Sequence, residues 1–267
     1  MMSADSVPAQ ELADRPLRGR SALVTGASRN LGAVTAQRLA AGGADVAIGY
    51  LGDEQEEQQA AQVVEAIESQ GVNGYAVKGD LAQGGEALRV VEQVGALLGR
   101  DVDILVNNAG PFSGEPLSSL SEADWDLIMN VNLKAAYLTT QAVVPGMKKS
   151  GWGRIVNLSA GSAFIRNHSV YGLAKAGVIT LTEQLALELG PEITVNAVAP
   201  GQIAESAPDI SKIDPTFVDR AIAHSPSGRL VTRAEVAELI AWLCDPAADM
   251  ITGHTIPIDG GWRLNRF

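Results

Sequence analysis

The sequence predicts an α/β fold, a single doubly wound domain on a seven-stranded parallel sheet with helices on both faces. Short apolar runs alternate with longer amphipathic stretches, the pattern of parallel strands joined by helical crossovers. A glycine-bearing turn, Thr25-Gly26-Ala27-Ser28-Arg29-Asn30-Leu31-Gly32, separates the first apolar run from the first amphipathic one. A length of 267 residues with 46% hydrophobic content is enough for one large core.

Taken in order, the strand at 21–25 leads through that turn to a helix at 31–41, and the strand at 45–50 to a helix at 54–70. The strand at 73–78 is followed by a helix at 86–98, and the strand at 103–107 by a long helix at 122–149. The strand at 154–159 precedes a helix at 171–189. Beyond the strand at 194–199 the pattern breaks at 202–228, with Pro208, Pro215 and Pro226, which reads as a mobile flap over the ligand site. A helix at 234–243 and a strand at 255–258 complete the domain, which is assigned to 19–267. Residues 1–18, with Pro8 and Pro16, read as a flexible N-terminal arm. The run Asp53-Glu54-Gln55-Glu56-Glu57 reads as a solvated helix start favoured by the macrodipole.

Composition narrows the function. A net charge of −11 argues against a nucleic-acid or anionic-membrane partner, since either favours a basic face. The single cysteine, Cys244, excludes an internal disulfide framework and sits in an apolar helical pattern as a buried thiol. The three histidines, His168, His224 and His254, lack metal-ligand spacing, and no metal is expected. With no signal-type apolar segment and no run of ~18 apolar residues, a cytoplasmic location is expected.

The turn after the first strand reads either as an ordinary strand-to-helix turn or as a dinucleotide-type phosphate loop. Gly26 permits the tight turn, and Gly32 lets helix and sheet approach. The free N–H groups of the helix start, around Ser28, Arg29, Asn30 and Leu31, can receive a pyrophosphate. Asn30 stands where a middle glycine is usual and tolerates positive φ. An acid at the end of the second strand would repel a 2′-phosphate. The chain has Gly49-Tyr50-Leu51 there, with Arg29 projecting toward the same pocket, so NADP(H) is favoured over NAD(H). Asp80 and Leu81, past the third strand, are placed against the adenine.

Tyr171 and Lys175 are four residues apart on one helix face. At roughly 5 Å and an effective dielectric near 20 their attraction is about 3 kcal/mol, on the order of two pKa units off the phenol. A phenol acidified toward neutral pH is therefore expected.

Together these motifs resemble the short-chain dehydrogenase/reductase family, in particular 3-oxoacyl-acyl-carrier-protein reductases. The resemblance runs from Gly19 to Gly261 and rests on Thr25-Gly26 with Gly32, Asp80, Asn107-Asn108-Ala109-Gly110, Asn132 in Val131-Asn132-Leu133, Tyr171 with Lys175, Asn196 through Gly201, and Asp259-Gly260-Gly261. It implies a Rossmann-type domain that reduces a ketone to a secondary alcohol with NADPH, on a 3-oxoacyl thioester or polyketide-type ketone. The alternatives are an NAD-dependent alcohol dehydrogenase acting on a sugar or steroid-like alcohol, and a non-catalytic cofactor-binding sensor.

By the same resemblance Tyr171 is the general acid, Lys175 tunes it and bonds the nicotinamide ribose, and Asn132 interrupts its helix to hold a proton-supplying water. Asn107, Ala109 and Gly110 line the adenosine ribose, and Pro200, Gly201 and Ile203 flank the nicotinamide. The family serine aligns with Ala160, which leaves Ser159 or Ser162 to hold the carbonyl. Glu205 replaces a threonine that would contact the carboxamide, and Ser206 follows it. Arg166 and His168 are close enough before Tyr171 to face the substrate. A homotetramer, or a homodimer, is implied, with the helices at 122–149 and 171–189 carrying surplus apolar positions.

Overall fold

The structure is a computed structural model that describes residues 15–164 and 169–264. Each expected apolar run forms a strand whose ends shift by at most one residue: β1 Ser21–Val24, β2 Asp45–Tyr50, β3 Gly74–Lys78, β4 Ile104–Asn107, β5 Gly153–Leu158, β6 Ile193–Pro200 and β7 Thr255–Ile258. The helices are α1 Asn30–Ala41, α2 Glu54–Glu68, α3 Glu86–Leu98, α4 Glu122–Met129, α5 Ala135–Ser150, α6 Val170–Leu189, α7 Ala207–Ile213, α8 Phe217–His224 and α9 Arg233–Cys244.

The strands pair in parallel in the order β3-β2-β1-β4-β5-β6-β7. Because successive side chains point to opposite faces, the sheet separates two cores. On one face Val24, Ile48, Val106 and Val156 meet Leu39 of α1, Ile67 of α2 and Ile240 of α9. On the other, Leu23, Leu105, Ile155 and Val195 meet Val90 and Val94 of α3, Met147 of α5 and Leu189 of α6. Each such fully buried side chain contributes about 1.5–3 kcal/mol. Cys244 is buried in the first core, which pushes its thiol up to about 12 and leaves it unreactive. The order in which strands are added reverses between β1 and β4, so a crevice opens beyond their carboxyl ends.

Three expectations change. The helix expected at 122–149 with a local interruption at Asn132 is instead two helices, α4 and α5, between which the backbone widens into a π-turn at Asn130–Lys134. Asn132 Nδ2 donates to Ile128 O four residues back and to Pro111 O, both at 3.0 Å, so an amide side chain competes with the helical ladder. The segment 202–228 carries the 3₁₀ turn Ala204–Ser206 followed by α7 and α8. The expected arm boundary at Arg18 moves back, because Leu17 is buried and its N–H bonds Gly42 O at 2.8 Å. Residues 1–14 lie outside the described residues. Among the described residues no helix is long and apolar enough to cross a membrane.

A buried polar chain ties β4 and β5 to the helices beneath them. Asn107 Nδ2 donates to Asn157 Oδ1 at 2.9 Å, Asn157 Nδ2 donates to Thr182 Oγ1 at 3.0 Å, and Thr139 Oγ1 donates to Asn107 Oδ1 at 2.6 Å. Cutting such a chain leaves desolvated partners unpaired. Asn107→Ala is expected to destabilise the fold by about 2–3 kcal/mol in urea unfolding; a loss below about 0.5 kcal/mol would show that the chain contributes little.

Candidate active site

The crevice beyond β1, β2 and β4 is a cleft of about 450 Å³ walled by Thr25, Gly26, Ser28–Gly32, Gly49–Leu51, Glu56, Asp80, Leu81 and Asn108–Pro111. Its floor cannot be thickened. A Cβ on Gly32 would lie 2.6 Å from Asn108 Nδ2 and 2.7 Å from Ala27 Cα, and one on Gly26, at φ +62°, would lie 2.8 Å from Ala109 Cα. Asn30 takes φ 54° in place of a glycine. Close backbone approach, helix-start N–H groups and an elongated crevice fit a dinucleotide.

Most residues expected at the cofactor do line this cleft, including Arg29, Tyr50, Asp80, Leu81, Ala109 and Gly110. Four do not. The Asn107 side chain turns away into the buried chain described above, and the neighbouring Asn108 clamps the loop instead, donating from Nδ2 to Thr25 O at 3.0 Å and Gly26 O at 2.9 Å. Pro200 and Gly201 lie beside Gly161, with Gly201 N donating to Ile258 O at 3.0 Å. Ile203 bridges to Val231 and packs against the first core. Glu205 accepts from Arg233 N with both oxygens at 3.1 Å, and Ser206 Oγ accepts from Arg233 Nη2 at 3.4 Å, so both are spent on the start of α9. Arg166 and His168 lie outside the described residues.

At the inner end of the cleft stands the pair on α6. Ser169 caps this helix, its hydroxyl accepting from Gly172 N at 3.1 Å, which fixes Tyr171 and Lys175 in the first two turns. Lys175 is 4% exposed, its Nζ donates to Leu158 O at 2.7 Å, and it stands 5.5 Å from the Tyr171 ring centroid. A Cβ on Gly110, a cleft residue, would come within 3.4 Å of the same Nζ. The amine therefore stands next to Gly110, one of the cleft residues, while itself remaining buried. Asn132 is beside it: its Nδ2 is bonded, while its buried Oδ1 has no partner among the described residues. Phe112 packs its ring edge on Tyr171 at 5.2 Å between centroids.

The expected acidification of Tyr171 is not what this environment produces. Loss of water around its half-buried ring pushes the Tyr171 phenol up to about 12, and full burial pulls the Lys175 amine down to about 8. Desolvation penalises the charged form of each group, and it outweighs the attraction inferred from spacing alone. The result is a proton-loaded phenol beside an amine that titrates close to neutral pH.

The two serines also separate. Ser159 is buried, and its hydroxyl donates to Lys175 O at 2.9 Å. Ser162, in the 3₁₀ turn Gly161–Ala163, has a buried hydroxyl without a partner among the described residues. Sequence spacing could not distinguish them, because the turn sets which hydroxyl is committed to backbone.

Residues 26–263 match the family described as "Enoyl-(Acyl carrier protein) reductase". The chain is 37% identical over 248 residues to a 3-oxoacyl-[acyl-carrier-protein] reductase of Staphylococcus epidermidis, covering 92% of this chain and 99% of that one. It is 37% identical to a (2S)-[(R)-hydroxy(phenyl)methyl]succinyl-CoA dehydrogenase subunit of Thauera aromatica, covering 93% and 98%. A short-chain dehydrogenase/reductase structure from Serratia marcescens superposes with TM-score 0.84 at 34% identity, covering 93% and 99%. A blue fluorescent protein from a metagenomic library, in complex with NADPH, superposes with TM-score 0.80 at 31% identity, covering 92% and 99%.

The buried amine sets a linkage between pH and stability. Unfolded lysine holds its proton to about 10.5, whereas folded Lys175 releases it near 8. Between those values the unfolded chain binds more protons, so this group makes the fold more stable as pH rises. Lys175→Met is expected to be more stable than the parent by about 1–3 kcal/mol at pH 7, after the lost bond to Leu158 O, with the gap closing by pH 10. Thermal melts at the two pH values measure this, and a variant less stable at pH 7 or a gap independent of pH would contradict it.

Proposed function

Because the chain belongs to the short-chain dehydrogenase/reductase family of NAD(P)-dependent oxidoreductases, we propose that it reduces a ketone to a secondary alcohol with NADPH, acting on a 3-oxoacyl thioester or a polyketide-type ketone. The observation that carries the proposal is the placement of Lys175, whose amine lies 5.5 Å from the Tyr171 ring and against Gly110 of the dinucleotide cleft. When bound, the dihydronicotinamide supplies the hydride that ends on the carbonyl carbon.

The chain's own groups manage the proton. Tyr171 Oη–H donates to the carbonyl oxygen as it gains charge, and the phenolate left behind faces the Lys175 ammonium. An ammonium titrating at about 8 beside a phenol titrating at about 12 makes return of a proton to the phenolate downhill. The unpartnered hydroxyl of Ser162 supplies the second donor to the carbonyl oxygen, while Ser159 anchors β5 to α6. A phenol that keeps its proton through neutral pH suits the reductive direction, since oxidation calls for phenolate as the base. Arg29 lines the cleft as an exposed cation with no ion pair among the described residues, which supports NADP(H). One observation favours the NAD-linked alternative: the Glu56 carboxylate lines the same cleft. Trp125, Tyr137 and Leu173 remain exposed on α4, α5 and α6, which supports assembly as a homotetramer or homodimer.

Tyr171→Phe is expected to bind NADPH as the parent does and to lose carbonyl reduction by a factor of at least about 10²; undiminished turnover would remove Tyr171 from the mechanism. Ser162→Ala is expected to lower kcat about 10²-fold and Ser159→Ala far less; the opposite order would return the role to Ser159. Arg29→Ala is expected to weaken NADPH about tenfold more than NADH in fluorescence titrations, and equal losses would contradict the NADP(H) assignment.

A further inference from the structure

The acidic run that follows β2 reads from sequence as a solvated helix start, but one of its members faces inward. Asp53 caps α2 by accepting from Glu56 N at 3.0 Å, and this turn carries the Glu56 side chain back over the loop. There Glu56 Oε1 accepts from Ser28 Oγ at 2.9 Å, and Oε2 accepts from Gly52 N at 2.7 Å. Ser28 belongs to the phosphate loop and Gly52 to the loop after β2, and both Ser28 and Glu56 wall the cleft alongside Arg29. The carboxylate thus bridges the two loops that border the adenosine end.

A hydroxyl and a backbone N–H converging on one carboxylate form a small anion-binding site. Arg29, exposed and with no ion pair among the described residues, brings a cation to the same cleft. The three groups that would recognise a phosphate are therefore present, and two of them are already satisfied by the protein's own anion.

We propose that Glu56 is an internal occupant of the 2′-phosphate subsite and a determinant of cofactor selectivity. The proposal rests on the reading that this cleft holds a nicotinamide dinucleotide. A 2′-phosphate competes with the carboxylate for Ser28 Oγ and Gly52 N and is repelled by it at close range. A 2′-hydroxyl does neither, and it can donate a hydrogen bond to the same carboxylate. Glu56 therefore holds the NADPH preference that Arg29 creates to a lower value, and the chain uses both cofactors instead of rejecting NADH. Glu57, exposed on the same turn and with no bond to Ser28 or Gly52, has no such role.

The test is equilibrium titration of NADPH and NADH against the parent, Glu56→Gln, Glu56→Ala and Glu57→Gln. Both Glu56 variants are expected to raise the NADPH-to-NADH affinity ratio about tenfold, the worth of one charge-assisted hydrogen bond transferred to the ligand. Glu57→Gln, which removes the same charge without touching the bridge, is expected to leave the ratio within about twofold. Retained NADH binding shows that each variant is folded. A ratio that stays within threefold of the parent in both Glu56 variants, or that falls, overturns the proposal, as does an equal rise in Glu57→Gln. Failure of the parent to bind either cofactor is a different result, because it overturns the dinucleotide reading itself.

Discussion

Burial of one amine organises the site. Lys175 leaves water to donate to the carbonyl of Leu158, the last residue of β5, and so fastens α6 to the carboxyl end of the sheet. That bond fixes the distance to Tyr171 and brings the amine against Gly110, where the strand β4 gives way to the cleft. The π-turn at Asn130–Lys134 serves the same arrangement, since it places Asn132 beside Gly110 with one amide oxygen unpaired. A buried polar group normally finds its partners, and a site that leaves Asn132 Oδ1 and Ser162 Oγ open keeps acceptor and donor capacity available for ligand. The cost of that openness is borne by the two apolar cores.

The adenosine end follows a different logic. Steric fit is supplied by Gly26 and Gly32 and by the Asn108 clamp, none of which distinguishes one nicotinamide cofactor from the other. In the proposed reading discrimination is electrostatic, because the cleft is lined by opposite charges, Arg29 and Glu56. Selectivity in such a pocket is a difference between two affinities, so an internal anion matters as much as the cation.

The alternation of apolar runs was legible because parallel strands buried on both faces leave continuous hydrophobic signatures, and the strand ends moved by at most one residue. The phosphate loop and the Tyr171–Lys175 pair were legible because their spacing is local. What escaped the sequence depends on partners distant along the chain. Asn107 and Asn108 look alike in sequence, and only the sheet decides that the first faces α5 and the second faces Gly26. Glu56 is one of several acids in a helix start, and its inward turn depends on Ser28, twenty-eight positions earlier. Spacing alone misses the Tyr171 proton affinity, because it reports the attraction of a neighbour and not the loss of water around the phenol. The break at Asn132 is legible as a local effect, whereas its bond to the carbonyl of Pro111, twenty-one positions earlier, is not.

Everything chemical here turns on the order in which two neighbouring groups hold their protons. Carbon-13 labelling of the lysine ε-carbons and tyrosine ζ-carbons, with Lys175→Met and Tyr171→Phe used to assign the two signals, follows both titrations by nuclear magnetic resonance. The site described here requires the Lys175 signal to titrate near 8 and the Tyr171 signal to stay in the phenol form through pH 10. A Tyr171 signal that ionises at or below pH 8, ahead of the amine, would contradict it.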